Sequence, residues 1–351
     1  MEKTSTGRFS LPALKFDHLY RLTDKTGILE HSFFAIPDKN HGYTTDDNAR
    51  ALQVCLRWGK CISNREKLID TYLKFLILAK KDNGFFNDLK PDLQWKNCSN
   101  PLGEHFGRAM YALAEIANED IDEKRRKTAD LTFQQMSGLI DLTLSQRTLA
   151  NLIAAFYHRQ KTAKNFSEIK EKTKNLADFL IQKKQSFSDS NWHWFEEILS
   201  YDNGRLPSAL IYAYKILGKK PYLKVALETL DFLLETTFDR QKDYFSFPGN
   251  KSWFTKDGKR VLYGQQPVEA GSTVEACCLA FEVTREKQYY HFAKKALAWY
   301  HGENILDVSL VDKETGGVKD GIDTAGVNPN QGAESILSYL IAYHSFKKVQ
   351  L

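Results

Sequence analysis

Two adjacent carboxylates near residue 46 are the side chains whose types and spacing most clearly suggest chemistry in this chain. The segment 41–52 reads HGYTTDDNARAL, so Asp46 and Asp47 come where a polar loop ends and an amphipathic helical pattern begins. Asn48 and Arg50 follow just inside that helix. Carboxylates at the starts of several helices would together line a polar pocket, and acid–base cleavage of a glycosidic bond requires a pair of carboxyls.

A weaker copy of this motif occurs at 200–205, which reads SYDNGR and again precedes an apolar helical run. The two segments share the order Asp-Asn-small-Arg. We therefore predict Asp47 and Asp202 as an acid/base pair facing each other across the pocket, with Glu269, just before a later helix, as the alternative partner. Asp46 is assigned to substrate binding, although an N-cap role would explain this aspartate equally well.

Other polar side chains cluster at the starts of further predicted helices, in the segments PLGEHFGRAM, QPVEAGSTVEA and NPNQGAESIL. The segment NWHWFEE places two tryptophans on a loop, where they would either stack on a sugar ring or be buried beneath the loop. The predicted substrate-binding residues are His41, Tyr43, Asp46, Asn48, Arg50, Glu104, His105, Arg108, Trp192, His193, Trp194, Asn203, Arg205, Gln266, Glu275, Asn328, Asn330, Gln331 and Glu334. Asp320 and Asp323 fit either a pocket or an ordinary turn.

Helical periodicity recurs along the whole chain and predicts twelve helices of two kinds. Six helices are apolar nearly all round and begin with polar residues, at 46–60, 104–118, 145–160, 204–217, 271–284 and 332–347. Six others have one wide charged face, at 11–23, 65–81, 122–136, 166–184, 220–237 and 286–301. Since all-round apolar helices belong inside and amphipathic ones outside, the sequence predicts an all-α (α/α)6 toroid.

The longest connections all precede predicted inner helices, at 82–103, 185–203, 238–270 and 302–331. They should lie on one rim of the ring, with short strand pairing at 243–247 and 308–311. Loops of this length in a compact domain are usually functional. No linker-like composition break divides the chain, so we predict a single domain over 1–351.

This arrangement resembles the six-hairpin glycosidase superfamily over nearly the whole chain. The resemblance includes the NGFFND turn at 83–88, and HGYTTDDNARAL is similar to bacterial proteins associated with glycosyltransferases and β-mannoside-processing enzymes. It implies catalytic carboxylates at inner-helix N-termini, which favours Asp46 or Asp47 and Asp202. The adjacent aspartates also resemble those of endo-mannanases, but the aromatic-rich surroundings of that family are missing, so its reaction is not carried over.

Composition and motifs exclude several other classes of protein. The net charge of +5 is spread along 351 residues without a basic block, so nucleic acid is not an expected partner. No P-loop, dinucleotide-binding or metal-ligand spacing occurs, which predicts that no cofactor and no metal are needed. The five cysteines have no disulfide or metal pattern, and no signal peptide or membrane span is visible, which indicates reduced thiols and a cytoplasmic location.

Three functions remain open from the sequence. The first is a glycoside hydrolase acting on an oligosaccharide, whose motif arginines would also suit an anionic sugar or phosphorolysis. The second is a sugar epimerase or isomerase with histidine as acid/base, for which His41, His105 and His193 are available. The third is a non-catalytic glycan-binding partner of a glycosyltransferase. The sugar, its linkage, the stereochemical outcome and the oligomeric state are not given by the sequence.

Overall fold

The computed structural model describes residues 12–119, 122–161 and 165–350 and contains twelve α-helices over these ranges. Six form an inner set: α2 (Thr45–Trp58), α4 (Glu104–Glu119), α6 (Gln146–Arg159), α8 (Arg205–Leu217), α10 (Pro267–Thr284) and α12 (Ala333–Val349). Six form an outer set: α1 (Asp17–Leu22), α3 (Arg65–Ala79), α5 (Glu123–Ser137), α7 (Phe166–Phe187), α9 (Lys220–Thr237) and α11 (Lys287–Trp299).

The inner helices form a closed ring. Each packs on the next in the order α2, α4, α6, α8, α10 and α12, and α12 returns to pack on α2. Outer helices pack against this ring, with α3 on α2, α5 on α4, α9 on α8 and α11 on α10. The predicted all-α (α/α)6 toroid is confirmed.

Burial explains why the two sets separate. The inner helices bury many small side chains, among them Ala109, Ala112, Ala154, Ala155, Ala209, Ala213, Ala276, Ala280 and Ala342. By contrast, α5 buries only Ala129, Thr132, Phe133 and Met136 and leaves its charged face in solvent. Small side chains let inner helices approach closely, whereas the outer helices need only one apolar stripe.

Two predicted helix starts differ from the structure by four residues or more. Helix α10 begins at Pro267 rather than at 271, because proline suits the first turn of a helix, where no backbone donor is needed. Glu269 therefore lies inside the first turn and not before the helix. Helix α1 covers only Asp17–Leu22 of the predicted 11–23, and residue 11 lies outside the described residues.

Within the described residues, the rim loops contain six two-stranded antiparallel sheets. They pair β1 (Ser32–Phe33) with β2 (Ile36–Pro37), β3 (Tyr43–Thr44) with β6 (Asp88–Leu89), β4 (Lys80–Lys81) with β5 (Gly84–Phe85), β7 (Ile198–Leu199) with β10 (Phe254–Thr255), β8 (Phe238–Asp239) with β9 (Tyr244–Phe245), and β11 (Gly321–Asp323) with β12 (Gly326–Asn328). The segment 243–247 contains β9, whereas 308–311 makes only isolated bridges from Ser309 and Val311. The two segments do not pair with each other.

Two further observations bear on the sequence predictions. All five cysteines are free, and Cys55, Cys277 and Cys278 are buried, as expected for reduced thiols. Among the described residues, no helix has both the length and the apolarity that a membrane crossing needs.

Candidate active site

A polar cavity of about 360 Å³ opens at the N-terminal ends of α2, α10 and α12. Five predicted residues line it: Asp46, Asp47, Gln266, Asn328 and Glu334. Asp320 and Asp323, which the sequence left between a pocket and a turn, also line it. The lining further includes residues that the sequence analysis did not select, namely Glu30, His31, Thr44, Asn87, Asn250, Gln265 and Ser335. The volume falls in the range of small-molecule sites.

Asp46 is held as a carboxylate by two arginines. Arg108 Nη1 lies 2.9 and 3.0 Å from its two oxygens, and Arg50 Nη1 lies 3.1 Å from Oδ2. Burial acts to raise the pKa of Asp46, but Arg108 and Arg50 outweigh it and lower that pKa to about 2. Asp46 therefore stays ionised at neutral pH.

Asp47 is in a different environment, although it is the next residue. Its backbone N–H donates to Thr44 Oγ1 at 3.0 Å, and the Thr44 hydroxyl donates to Asp47 Oδ2 at 2.8 Å. Thr44 is thus the N-cap of α2, and the N-cap explanation of Asp46 is wrong. Burial raises the pKa of Asp47 to about 7, and Arg50 at 3.3 Å offsets this only in part because Asp46 and Glu334 act in the opposite direction.

The two neighbouring carboxyls thus differ in protonation on one cavity wall. Near neutral pH, Asp46 is a carboxylate and Asp47 holds its proton part of the time. Carboxyls whose environments separate their pKa values in this way are suited to divide the roles of base and acid between them.

Glu334 and Asp320 form the wall next to this pair. Arg50 Nη2 donates to Glu334 at 3.0 Å, so one guanidinium joins α2 to the first turn of α12. Asp320 Oδ1 accepts from Gly332 N at 2.7 Å and from Ser335 Oγ at 2.6 Å. Asp320 is therefore more than a turn residue, because it fixes the start of α12 beside the cavity.

Asp202 lies deeper in the ring and does not line the cavity. It is 1% exposed, its backbone is in the left-handed region with φ 49°, and its Oδ2 accepts from Arg108 Nη2 at 2.9 Å. It borders a separate enclosed void of about 20 Å³ together with Arg50, Arg108 and Arg205. Burial acts to raise the pKa of Asp202, but Arg205 and Arg108 lower it overall. Asp47 and Asp202 therefore do not face each other across the open cavity as expected.

Glu269 is also below the cavity and orders the SYDNGR turn. It accepts from the backbone N–H of Asp202 and, at 2.7 Å, from Asn203 Nδ2. Burial raises the pKa of Glu269 to about 8. Glycine is required next in this turn, since a Cβ on Gly204 would lie 2.2 Å from the carbonyl oxygen of Ser272 on α10.

Several solved structures of other proteins are similar to this one. A cellobiose 2-epimerase from Bacillus thermoamylovorans has a similar structure, with a TM-score of 0.73, 11% identity and 96% of each chain covered. A D-mannose isomerase gives a TM-score of 0.73 at 12% identity, covering 95% of this chain and 96% of the other. Both likenesses show the same fold, a ring of six helical hairpins.

A third structure with the six-hairpin fold is an inactive variant of the GH76A alpha-1,6-mannanase from a Salegentibacter species. In that variant two adjacent aspartates are replaced by alanine, and the protein is in complex with alpha-1,6-mannotetrose. It matches with a TM-score of 0.64 at 12% identity over 95% of this chain and 96% of the other. No protein-family model and no curated protein sequence matches this chain. At these identities the structures establish the fold alone.

Several other predicted residues support the six-hairpin ring from within. Arg205 Nη2 donates to Glu275 at 3.0 Å, so Glu275 is the partnered, buried carboxylate that its apolar surroundings required. Glu104 lies 3.7 Å from Arg108, and burial raises the pKa of Glu104 to about 7. His105 donates from Nε2 to the carbonyl oxygen of Phe85 at 3.0 Å and does not line the cavity.

Two more motif residues hold loops in place. Tyr43 donates its hydroxyl to Asp24 at 2.7 Å. The Asn48 side chain donates to the carbonyl oxygen of Thr44 at 2.7 Å and accepts from Ile28 N at 3.1 Å. Both side chains are buried and bind protein groups, so they position the HGYTTDDNARAL segment.

The predicted tryptophan platform is not formed. Trp192 and Trp194 are 3% and 0% exposed, because the loop that carries them packs both rings against Phe232 of outer helix α9. His193 is half-buried, and its Nδ1 lies 3.5 Å from a carboxyl oxygen of Glu228 on outer helix α9. None of these three side chains lines the cavity.

His41, Asn330 and Gln331 lie at the edge of the cavity. His41 is exposed and contacts His31 edge to face, with ring centroids 4.6 Å apart. Asn330 Oδ1 accepts from Phe34 N at 2.9 Å, and Gln331 N donates to the carbonyl oxygen of Phe34 at 3.1 Å. These two residues fasten the β1–β2 hairpin to the rim.

The charge of the cavity wall corrects one expectation. Among the described residues, its lining includes six carboxylic side chains but no lysine or arginine. Arg50 and Arg205 bind carboxylates of the protein itself. The expected attraction of these arginines for an anionic sugar or phosphate is therefore not met at this cavity, since like charges repel.

Proposed function

We propose that this chain hydrolyses a glycosidic bond of a neutral oligosaccharide, with Asp47 as the general acid and Asp46 as the ionised partner. The single observation that carries this proposal is the pair of adjacent carboxyls on one cavity wall, with pKa values of about 7 and about 2. Glycoside cleavage needs a protonated carboxyl and an ionised one at the scissile bond.

The reaction follows from these protonation states. Protonated Asp47 donates its proton to the glycosidic oxygen, the bond to the anomeric carbon breaks, and the Asp46 carboxylate stabilises the positive charge that develops on the sugar. Water then supplies the hydroxyl group at the anomeric carbon, and the proton it releases returns to the carboxyl pair. Whether Asp46 bonds to the sugar or activates the water sets the stereochemical outcome, which is left to experiment.

The polar lining supports a sugar as the substrate. Amide side chains of Asn87, Asn250, Gln266 and Asn328 and the carboxylates around them offer both donors and acceptors for hydroxyl groups. A neutral sugar suits this acidic wall better than a phosphorylated or carboxylated one, which disfavours phosphorolysis. The inactive mannanase variant with two changed aspartates makes mannosides the first substrates to test.

A sugar epimerase is the second candidate. The contact between His31 and His41 at the rim favours it, because this alternative requires histidine side chains as acid and base. His31 is the one histidine among the described residues that line the cavity, whereas His105 and His193 lie elsewhere. The raised pKa of Asp47 favours hydrolysis, and it also disfavours the non-catalytic role, for which no shifted carboxyl is needed. Five free cysteines agree with a cytoplasmic location.

The test is turnover of α- and β-linked manno- and gluco-oligosaccharides by the wild type and by Asp47→Asn and Asp46→Asn. We expect each variant to lose at least about 100-fold in kcat/KM with an unchanged circular dichroism spectrum. The wild-type rate should fall as pH rises through about 7, where Asp47 loses the proton it must donate.

Asp202→Asn provides the matched comparison, since Asp202 is a buried aspartate of the related motif that does not line the cavity. Its kcat/KM should fall much less than that of Asp47→Asn in the fraction that remains folded. Full turnover by Asp47→Asn would overturn the assignment. Interconversion of free cellobiose or mannose without cleavage, lost in His31→Asn, would establish the epimerase instead.

A further inference from the structure

The β1–β2 hairpin exposes three large apolar side chains next to one another. Phe33, Phe34 and Ile36 are 65%, 51% and 69% exposed, and the two phenyl rings meet edge to face with centroids 4.8 Å apart. Phe34 also has a left-handed backbone with φ 53°, which is rare for a bulky residue. An exposed apolar cluster on a strained turn costs free energy, so it calls for a function.

Hydrogen bonds from a distant part of the chain fix this strained turn. Phe34 N donates to Asn330 Oδ1 at 2.9 Å, and the Phe34 carbonyl oxygen accepts from Gln331 N at 3.1 Å. The hydroxyl of Ser32 donates to the same carbonyl oxygen. Both the N–H and the carbonyl group of Phe34 are therefore hydrogen-bonded, which fixes the backbone that carries the rings. Binding of a ligand to these rings then costs little conformational entropy.

The hairpin stands at the edge of the cavity. Glu30 and His31, directly before it, line the cavity, and so do Asn328 and Gly332, which flank the residues that fasten it. A chain of sugar units leaving the cavity on this side would pass over the hairpin. The apolar cluster therefore directly follows, in the chain, residues that line the candidate active site.

We propose that Phe33 and Phe34 form a stacking platform for sugar units that extend beyond the cavity, so that the substrate is an oligosaccharide longer than the cavity holds. This inference rests on the proposed function, because it identifies the substrate of the same site. The C–H face of a pyranose packs on an aromatic ring while its hydroxyl groups stay in water. Trp192 and Trp194 are buried and are not available for this contact.

The experiment compares oligosaccharides of increasing length, from disaccharides to hexasaccharides, in the full-length chain. For Phe33→Ala combined with Phe34→Ala, we expect kcat/KM to fall about tenfold on the longest substrate and to stay within about twofold on the shortest. Phe33→Tyr keeps an aromatic face and should retain the wild-type dependence on length. Leu131→Ala is the matched control, because Leu131 is 60% exposed but lies on outer helix α5.

Binding of the same series to Asp47→Asn, measured by calorimetry, separates this inference from the hydrolase proposal. If the wild type cleaves nothing but Asp47→Asn binds longer oligosaccharides more tightly, and only when Phe33 and Phe34 are present, hydrolysis is overturned and the platform stands. An equal effect on all lengths, or no effect on any, overturns the platform while hydrolysis stands. The platform is also overturned if the double variant loses a self-association that the wild type shows in sedimentation, while kcat/KM does not depend on substrate length. The hairpin would then bind a second copy of the chain. Absence of both cleavage and binding overturns both proposals.

Discussion

The chemistry of the candidate site depends on the different environments of two neighbouring aspartates, Asp46 and Asp47, which share the guanidinium of Arg50. Arg50 reaches both carboxyls, but Arg108 adds a second cation only on the side of Asp46. Asp47 has instead a neutral hydroxyl from Thr44 and two negative neighbours, Asp46 and Glu334. Burial therefore prevails at Asp47, and the local cation prevails at Asp46.

The charge of Asp46 should accordingly be one reason why Asp47 holds its proton. In Asp46→Asn we expect the pKa of Asp47 to fall from about 7 by about one unit or more, because a negative neighbour is removed and Arg50 is released toward Asp47. Titration of the Asp47 carboxyl carbon by NMR measures this shift without any need for activity.

Asp323→Asn is the control for this titration, since it removes another carboxylate of the cavity lining that does not contact Arg50. The Asp47 titration should be nearly unchanged in that variant. An unchanged or higher Asp47 pKa in Asp46→Asn would show that burial alone sets the protonation state and that the pair does not act as a unit.

At the scale of elements, the sequence predicts the helices well, because polar residues mark the starts of most inner helices. The HGYTTDDNARAL motif places a capping threonine and two acids in the first turn of α2, and periodicity does the rest. The cavity wall is less predictable. Glu30, Asn250 and Asp320 come from loops far apart in the chain, and only closure of the ring brings them together. No local pattern separates these residues from ordinary turn residues.

The SYDNGR motif shows what a correct pattern leaves undetermined. Its likeness to the first motif predicts a helix start at residue 204, and α8 begins one residue later, at Arg205. How far the motif lies below the cavity depends on contacts that the sequence does not reveal. Glu269 binds the backbone of the turn, and Gly204 packs on the backbone of α10. Those contacts place Asp202 below the cavity, although α2 and α8 lie opposite each other in the ring.

The contact between Gly204 and α10 should therefore limit how closely the two helices approach. In Gly204→Ala the new Cβ would meet the Ser272 carbonyl oxygen at 2.2 Å, so α8 and α10 must separate. We expect a loss of about 1–3 kcal/mol in the free energy of unfolding. Urea denaturation followed by circular dichroism measures it.

Gly138→Ala is the matched substitution for this measurement. Gly138 follows α5 with an ordinary backbone φ of −69°, and a Cβ there would meet nothing within 4 Å. That variant should be unchanged or slightly more stable, because alanine restricts the unfolded chain. Equal stability of the two variants would mean that α8 and α10 adjust freely and that the glycine is not needed for the close approach.

At the scale of the whole molecule, alternating charges connect five inner helices through the centre of the ring. Arg50 joins Glu334 of α12 to Asp46 of α2, and Arg108 of α4 joins Asp46 to Asp202. The series continues through Arg205 to Glu275 of α10, and through Arg57 to Glu115 of α4. Asp46 and Glu334 of this network line the cavity. The network accounts for the motif arginines that the sequence analysis assigned to substrate.

Arg108 is the central link of this network, because it is the cation shared by Asp46 and Asp202. Arg108→Met keeps much of the side-chain volume but leaves the buried Asp202 and the half-buried Asp46 without that partner, so we expect a loss of about 3–5 kcal/mol in the free energy of unfolding at pH 7. Lys174→Met, which breaks an exposed pair with Asp178, should cost less than about 1 kcal/mol in the same urea denaturation.

The effect of Arg108→Met should also depend on pH, because its partner Asp46 has a pKa in the folded protein that is depressed to about 2. A depressed pKa contributes stability above the unfolded value of about 4, and this contribution is lost as pH falls toward about 2. The difference between wild type and Arg108→Met should therefore be full at neutral pH and shrink between these two values. A difference that stayed constant down to pH 2 would mean that Arg108 stabilises the ring through packing of its side chain and not through its charge.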